Sequence, residues 1–169
     1  MAKKASKTAY QLRREELGLS RERAADLLET IPPERIERIE SGKFTAHPDE
    51  ILLMAERYKA PQLCNAYCTE ECEIGRRYVP RVEQKELSRI VLEMLASLNR
   101  LQKRKDLLVE LTADEMIERH EIADFVEIQK ELEDLAASVE TLRLWVDQKV
   151  LLGEIDPETY RTVREKDDN

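Results

Sequence analysis

The sequence predicts an all-α fold in which several short helices are followed by two long ones. Charged residues make up 38% of the 169 residues and aromatic residues only 5%, with 4 Gly and 6 Pro. The apolar residues recur at the three- and four-residue spacing of helices, and they do not alternate as strands require. A β-sandwich or barrel needs many turns and strands rich in β-branched or aromatic residues. The composition therefore argues against both of these β architectures.

Five short helices are predicted within roughly the first 70 residues. Tyr10 lies in the first helix, which Gly18 ends, and Ser20 is a suitable N-cap for the second. The third helix stops at Ser41-Gly42. Proline fits the first turn of a helix but not its interior, so the prolines mark where the third, fourth and fifth helices begin: Pro33, Pro48 and Pro61.

The chain changes character after Pro80. Residues 83–109 contain no Gly or Pro, and they carry a stripe at seven-residue spacing with a second position filled between its members: Leu87, Met94, Leu101 and Leu108, with Val91 and Leu98. A second long helix has clean three- and four-residue spacings: Phe125, Ile128, Leu132, Leu135, Val139, Leu142 and Val146. Gly153 ends that helix, and a last short turn of helix is expected from Pro157.

The two long helices predict an antiparallel hairpin of the coiled-coil type over residues 80–169. One hairpin would leave part of each stripe exposed, so we expect two copies to pair as a homodimer through a four-helix bundle. Continuous heptads also predict a hairpin without a ligand cavity.

Charge is distributed unevenly and indicates two modules. Residues 1–60 hold 12 Lys and Arg against 11 Asp and Glu, while the remainder holds 16 against 25. The organisation predicted is a flexible basic arm over residues 1–8, a domain over 9–78 and the dimerisation hairpin over 80–169. No apolar run approaches a membrane span, and the N-terminus lacks the apolar region of a secretory signal. We therefore expect a cytoplasmic protein.

One set of residues in the first domain carries a specific resemblance. It consists of Gly18-Leu19-Ser20 before the second helix, Ala25 inside it, and Ile36-x-x-Ile39-Glu40-Ser41-Gly42-Lys43 closing the third. Over about residues 9–67 the chain resembles the phage-repressor-like, Cro-type (xenobiotic-response-element) helix-turn-helix family of transcriptional regulators. The resemblance implies double-stranded operator DNA as the partner and the third helix as the recognition helix in the major groove.

The positions in the third helix can be interpreted without the family. Ile36 and Ile39 share one face and should pack inward, which leaves the opposite face exposed. The resemblance places the DNA-binding residues on that exposed face, at the start of the second helix and after the third: Ser20, Arg21, Pro33, Glu34, Arg35, Glu37, Arg38, Ser41 and Lys43. It also implies that Glu40 ties the third helix to the first, with Arg14 favoured over Arg13 as its partner.

The sequence departs from the family pattern in three ways. The turn holds Glu29-Thr30 where the family has a Gly, and the segment from Ser20 to Ile36 is one residue longer than usual. The exposed face of the third helix also carries Glu34 and Glu37, which phosphates repel. An alternative function is therefore a helix-turn-helix adaptor that contacts proteins and does not bind DNA.

Cys64, Cys68 and Cys72 are spaced four apart at the junction of the two modules. Zinc sites more often use Cys-x2-Cys pairs and four ligands, and His47 and His120 are the only histidines. We interpret the cysteines as free thiols, so no metal or other cofactor is expected. They remain weak metal candidates, and a cysteine-based redox- or metal-responsive regulator is a further alternative. No nucleophile motif or phosphate-binding glycine loop is present, so we expect no enzyme activity.

Overall fold

The computed structural model describes residues 7–110 and 117–167. All regular structure within these residues is helical, which confirms the all-α prediction. Residues 1–6, most of the predicted basic arm, lie outside the described residues. The helices are α1 (Ala9–Glu16), α2 (Arg21–Leu28), α3 (Pro33–Glu40), α4 (Pro48–Arg57), α5 (Gln62–Glu70), α6 (Gly75–Tyr78), α7 (Leu87–Lys103), α8 (Lys105–Glu110), α9 (Ile122–Leu151) and α10 (Pro157–Asp167).

The described chain packs as two units. One contains the residues up to Val79 together with those from Val146 onward, and the other spans Pro80–Trp145. Helix α9 contributes residues to both. The C-terminal residues join the first unit partly through Gln148, whose Nε2 donates to the carbonyl oxygen of Lys59 at 3.1 Å.

Local signals position the helices of the first unit. The hydroxyl of Ser20 accepts a hydrogen bond from the backbone N–H of Arg23, and Pro33 and Pro48 each occupy the first position of a helix, as predicted. These helices enclose one apolar core of buried side chains: Tyr10, Ala24, Leu28, Ile31, Ile36, Ile39, Ala46, Ile51, Met54, Ala55, Tyr58, Ala60 and Leu63.

Helix α6 was not predicted from the sequence. It follows α5 closely because Gly75 lies against the backbone of Cys68. A Cβ atom at residue 75 would stand 2.2 Å from the carbonyl oxygen of Cys68, so this close approach requires glycine.

The first long helix is shorter than predicted and interrupted. Glu86 is the N-cap in an extended conformation, so α7 begins at Leu87. The helix stops at Lys103, and Arg104 separates it from α8. The guanidinium of Arg104 pairs with Glu127 at 2.6 Å and with Glu131 at 3.2 Å, both on α9. The interruption coincides with Lys105, where the apolar stripe also breaks.

The buried face of α7 differs from the predicted stripe. Ile90 and Ser97 are its buried residues, whereas Leu87, Val91 and Leu98 are exposed. Around the helix, these exposed residues lie to one side of Ile90 and Ser97, the residues that face α9. Seven-residue spacing identifies an apolar stripe, but the contact with the partner helix determines which neighbouring stripe is buried.

The expectation of a hairpin without a cavity is wrong. A cleft of about 460 Å³ lies between α7, α9 and the segment 81–85, which has no regular secondary structure. Its walls include Ala96, Ala137 and Ser138, whose side chains are too small to fill the space between the helices.

The end of α9 and the helix that follows it differ in how well the sequence predicts them. Gly153 has a φ of +75° just after α9, as expected of a residue that ends a helix. Helix α10 then runs for 11 residues and is longer than the single turn predicted.

Within residues 7–110 and 117–167, no helix combines the length and apolar character needed to cross a membrane.

Candidate nucleic-acid interface

The turn between α2 and α3 is tight and strained. Glu29 has a φ of +60° and a ψ of −44°, and the N–H of Thr30 donates to the carbonyl oxygen of Leu28 at 2.6 Å. This is a γ-turn of the rare form with positive φ. A side chain at Glu29 is disfavoured there, which gives a physical reason for the glycine of the family pattern.

Helix α3 has its two isoleucines turned inward. Ile36 is 1% exposed and Ile39 is 2% exposed, so the helix is anchored along one face. The opposite face carries four of the residues selected from the sequence, all exposed: Glu34, Glu37, Arg38 and Ser41. Pro33 is half-buried at the start of the helix, and Lys43 is exposed beyond its end.

The exposed end of α3 is shaped around Arg38. Gly42 has a φ of +67°, and the N–H groups of Lys43 and Phe44 both donate to the carbonyl oxygen of Arg38, at 3.1 and 3.2 Å. This turn brings the ring of Phe44 to 5.5 Å from the guanidinium carbon of Arg38. Phe44 is 54% exposed, so the Arg38–Phe44 cation–π pair is open to a ligand.

A buried ion-pair network holds α3 in place. Glu40 accepts two hydrogen bonds from Arg14, Nε–Oε1 at 2.5 Å and Nη2–Oε2 at 2.9 Å, which confirms the predicted contact. Arg21 adds a third bond from its Nε to Oε2 of Glu40 at 2.9 Å. The hydrogen bond between Arg14 and Glu40 raises the pKa of Arg14. Arg21, named from the sequence as a DNA-binding residue, thus already donates through its Nε to Glu40.

Arg35 is engaged more completely. Its Nε and Nη2 donate to the two carboxylate oxygens of Glu50 at 2.7 and 2.6 Å, and Nη2 also donates to the carbonyl oxygen of Thr45 at 3.1 Å. These contacts tie α3 to α4. The role of Arg35 seen in the structure is therefore to hold α3 in place.

The N-terminus of α2 carries a carboxylate of its own. Glu22 accepts from its own backbone N–H and from the hydroxyl of Ser20, and these hydrogen bonds lower its pKa. A helix N-terminus favours anions such as phosphate, but here Glu22 occupies part of that position. A phosphate at this helix end would have to displace the Glu22 side chain.

Sequence reasoning missed Glu22 and Phe44. Glu22 is the second residue after the N-cap Ser20, where a carboxylate can reach the free N–H groups of the first turn. Phe44 follows Gly42-Lys43 directly, and its position just past the turn that ends α3 brings it beside Arg38.

The three cysteines lie in α5 and just after it as free, half-buried thiols. Burial is the main cause that raises the pKa of Cys64 and of Cys68, which disfavours the thiolate form that metals and oxidants need. Within residues 7–110 and 117–167, no three His, Cys, Asp or Glu side chains are grouped so that they could hold a metal ion.

Comparison with known proteins assigns the N-terminal part of the chain. No curated protein and no solved structure matches the chain significantly. A family model described as helix-turn-helix matches residues 11–61, which span α1 to α4. The match confirms the resemblance to the Cro-type family. Residues 11–61 therefore form a helix-turn-helix domain.

Proposed function

We propose that this protein is a sequence-specific transcriptional regulator that binds operator DNA as a homodimer in the cytoplasm. The observation that carries the proposal is the helix-turn-helix match combined with the exposed face of α3. Helix α3 would lie in the major groove, with α2 crossing the backbone.

The side chains divide by role in this proposal. Arg38 is the exposed cation on the face of α3, and Phe44 holds its guanidinium at the ring. Arginine is the commonest residue to read guanine, and a phenylalanine ring can contact the methyl group of thymine. Lys43 follows the helix and would contact phosphate. Glu40, Arg14 and Arg35 would not touch DNA but would fix the position of α3.

In this proposal, dimerisation offsets the weak affinity of a single helix-turn-helix domain for DNA. Glu22, Glu34 and Glu37 are exposed acids on or beside the proposed interface, and each lowers the affinity of a single domain for phosphate. Two domains on half-sites one helical turn apart, about 34 Å, would combine their binding free energies. The hairpin unit, Pro80–Trp145, is proposed to hold the two copies together.

The test is the binding of purified full-length protein to a random-sequence duplex over a salt series. A DNA-binding protein shows weak affinity whose logarithm falls linearly with the logarithm of salt concentration. Selection of genomic fragments on the same protein should then yield one enriched sequence with half-sites. No binding at the lowest salt concentration would contradict the proposal.

A second candidate function is an adaptor whose α3 contacts another protein. The acidic residues Glu34 and Glu37 favour it, because both lie on the face that would otherwise approach phosphates. The salt series separates the two functions, since an adaptor binds no duplex even at low salt.

A redox- or metal-responsive regulator is a third candidate, suggested by the number and spacing of the cysteines. Metal analysis and thiol titration of denatured, anaerobically purified protein test it. The free-thiol interpretation expects three thiols and no stoichiometric zinc or iron.

A further inference from the structure

The cleft between α7, α9 and the segment 81–85 has the size of a small-molecule site. Its volume of about 460 Å³ lies within the range of pockets that bind small ligands. Along α7 it extends from Glu93 to Arg100, which is about 10 Å at the rise of an α-helix. Lys85 pairs with Glu93 at 2.7 Å, and Arg100 pairs with Asp134 at 3.2 Å. An ion pair therefore borders each end of the cleft.

Three buried hydroxyl groups line the cleft, and each keeps unused bonding capacity within the described residues. Ser97 is 2% exposed, and its Oγ accepts a hydrogen bond from Nη2 of Arg100 at 3.0 Å, but its own proton has no acceptor there. Ser138 and Thr141 each donate to a backbone carbonyl four residues earlier in α9, at 2.9 and 2.7 Å. Buried polar groups are normally satisfied. The cleft thus offers a ligand one hydroxyl donor and two hydroxyl acceptors.

The Arg100–Asp134 ion pair also keeps groups that can bind a ligand. Arg100 donates through Nη2 alone, so its Nε and Nη1 have no hydrogen bond to any described residue. Asp134 accepts through Oδ2 alone of its two carboxylate oxygens. The two side chains are 45% and 69% exposed, so the protein encloses neither charge. A positive group and a negative group therefore lie side by side at this end of the cleft.

The charges that line the cleft favour a ligand without net charge. Three of the lining residues are basic and three are acidic: Arg81, Lys85 and Arg100, with Glu83, Glu93 and Asp134. A molecule that carries a carboxylate beside an ammonium group can lie antiparallel to the Arg100–Asp134 pair, so that each of its charges meets the opposite charge. The methyl groups of Ala96 and Ala137 line the cleft between its two ends and would contact the rest of the molecule.

We propose that this cleft binds a free α-amino acid whose side chain is uncharged. Its carboxylate accepts from Arg100 and from the hydroxyl of Ser97, and its ammonium group donates to Asp134 and to the oxygen of Ser138, one turn further along α9. All of these residues belong to the unit Pro80–Trp145. The inference therefore goes beyond the proposed function and does not depend on DNA binding.

The first experiment is isothermal titration calorimetry of the full-length protein with each L-amino acid that has an uncharged side chain. At least one should bind with a dissociation constant below about 1 mM. The N-acetyl derivative of that amino acid lacks the ammonium group, and its amide lacks the carboxylate. Each derivative should bind at least about tenfold more weakly, because each leaves one charge of the Arg100–Asp134 pair without its partner on the ligand.

A second experiment compares two neighbouring alanines of α9. Ala137→Leu fills the cleft and should weaken binding of the same amino acid at least about tenfold. Ala136→Leu is the matched control, since Ala136 is exposed and does not line the cleft, and it should change the affinity by less than about threefold. Circular dichroism checks that both variants keep their helices.

A third comparison tests the charge that would hold the carboxylate. Arg100→Gln should weaken binding at least about tenfold. Arg143→Gln, which removes an exposed arginine of α9 outside the cleft, should change the affinity by less than about threefold. The comparison of ligand derivatives uses the wild-type chain and does not depend on the folding of any variant.

Three results would overturn the inference: no uncharged amino acid binds at about 10 mM, the amide and the N-acetyl derivative bind as tightly as the free amino acid, or folded Ala137→Leu binds it as tightly as Ala136→Leu. The salt series on random duplex is measured on the same protein. Amino-acid binding without duplex binding contradicts the DNA-binding function alone, and duplex binding without amino-acid binding contradicts this inference alone.

Discussion

Arg14 and Glu40 join the first helix to the third through two hydrogen bonds in the interior of the helix-turn-helix domain. Their side chains are 8% and 1% exposed, so both charges are almost withdrawn from water. An ion pair of this kind costs much desolvation to form, and breaking it leaves a buried charge without a partner. The pair is therefore a positional constraint on α3 more than a source of net stability.

Glu40→Gln should destabilise the domain by about 3–5 kcal/mol, because Arg14 would stay buried without a carboxylate. The free energy of unfolding from a urea titration measures the loss. Glu37→Gln is the matched control on the exposed face of the same helix, and it should change stability by less than about 0.5 kcal/mol. Equal effects of the two variants would contradict the role given to Glu40.

Arg38→Ala should weaken binding to a selected operator by roughly 10- to 100-fold, as expected for loss of one base-reading arginine. Phe44→Ala should cost roughly two- to fivefold, because an exposed cation–π contact is worth ~0.5–1 kcal/mol. Phe44→Tyr keeps the ring and should restore the affinity. Fluorescence anisotropy measures all three variants. An Arg38→Ala affinity within error of the wild type would rule out this docking face.

Arg35→Ala separates positioning from reading. Because Arg35 is bound to Glu50 and to the carbonyl of Thr45, the variant should lower the unfolding temperature as well as the affinity. Arg38→Ala should leave the unfolding temperature nearly unchanged. If Arg38→Ala lowered the unfolding temperature and Arg35→Ala did not, Arg38 would be the residue that holds α3 in place and Arg35 the one that contacts DNA.

Glu22→Gln and Glu37→Gln should each tighten binding to random duplex by roughly two- to fivefold, because each removes a negative charge near phosphates. Glu22→Gln also vacates the anion position at the start of α2. The salt series described above measures both, with Glu133→Gln on α9 as a control. If neither variant differs from that control, this surface does not approach DNA.

Glu29→Gly should stabilise the domain by about 0.5–1 kcal/mol. Glycine relieves the cost of positive φ, and only part of that gain is lost to the greater freedom of the unfolded chain. The ion pair of Glu29 with Arg57, at 3.6 Å on the surface, contributes little to the balance. Thermal unfolding measures the difference, and Glu29→Ala, which keeps a Cβ, should show no gain.

The pH dependence of stability should report Glu50. The hydrogen bond from Arg35 lowers the pKa of Glu50 below its usual range. A lowered folded pKa means that the stabilisation is present above the unfolded value, about 4.3, and is lost as pH falls through the folded pKa. Glu50→Gln should be less stable than the wild type at pH 7 and should lose less stability between pH 5 and pH 3. Urea titrations across this range measure it, and parallel curves for the two proteins would contradict the assignment.

Much of the domain could be predicted from the sequence. Ser20, Pro33 and Pro48 mark helix starts, and Gly18 and Gly42 lie just past helix ends, where the structure has them. Ile36 and Ile39 also indicated which face of α3 is exposed. Each of these signals acts within one or two turns of chain, so the local sequence contains all of the partners involved.

Other features depended on tertiary contacts. Arg35 and Arg38 are chemically alike and three residues apart, yet one is bound to Glu50 of α4 and the other lies open beside Phe44. On α7 the periodicity revealed an apolar helix but not that Ile90 and Ser97 would be buried while Leu98 stayed exposed. The sequence by itself determined where helices begin, where they end and which residues are apolar. The tertiary structure decided which charges pair and which apolar stripe is buried, because both depend on elements that are distant along the chain.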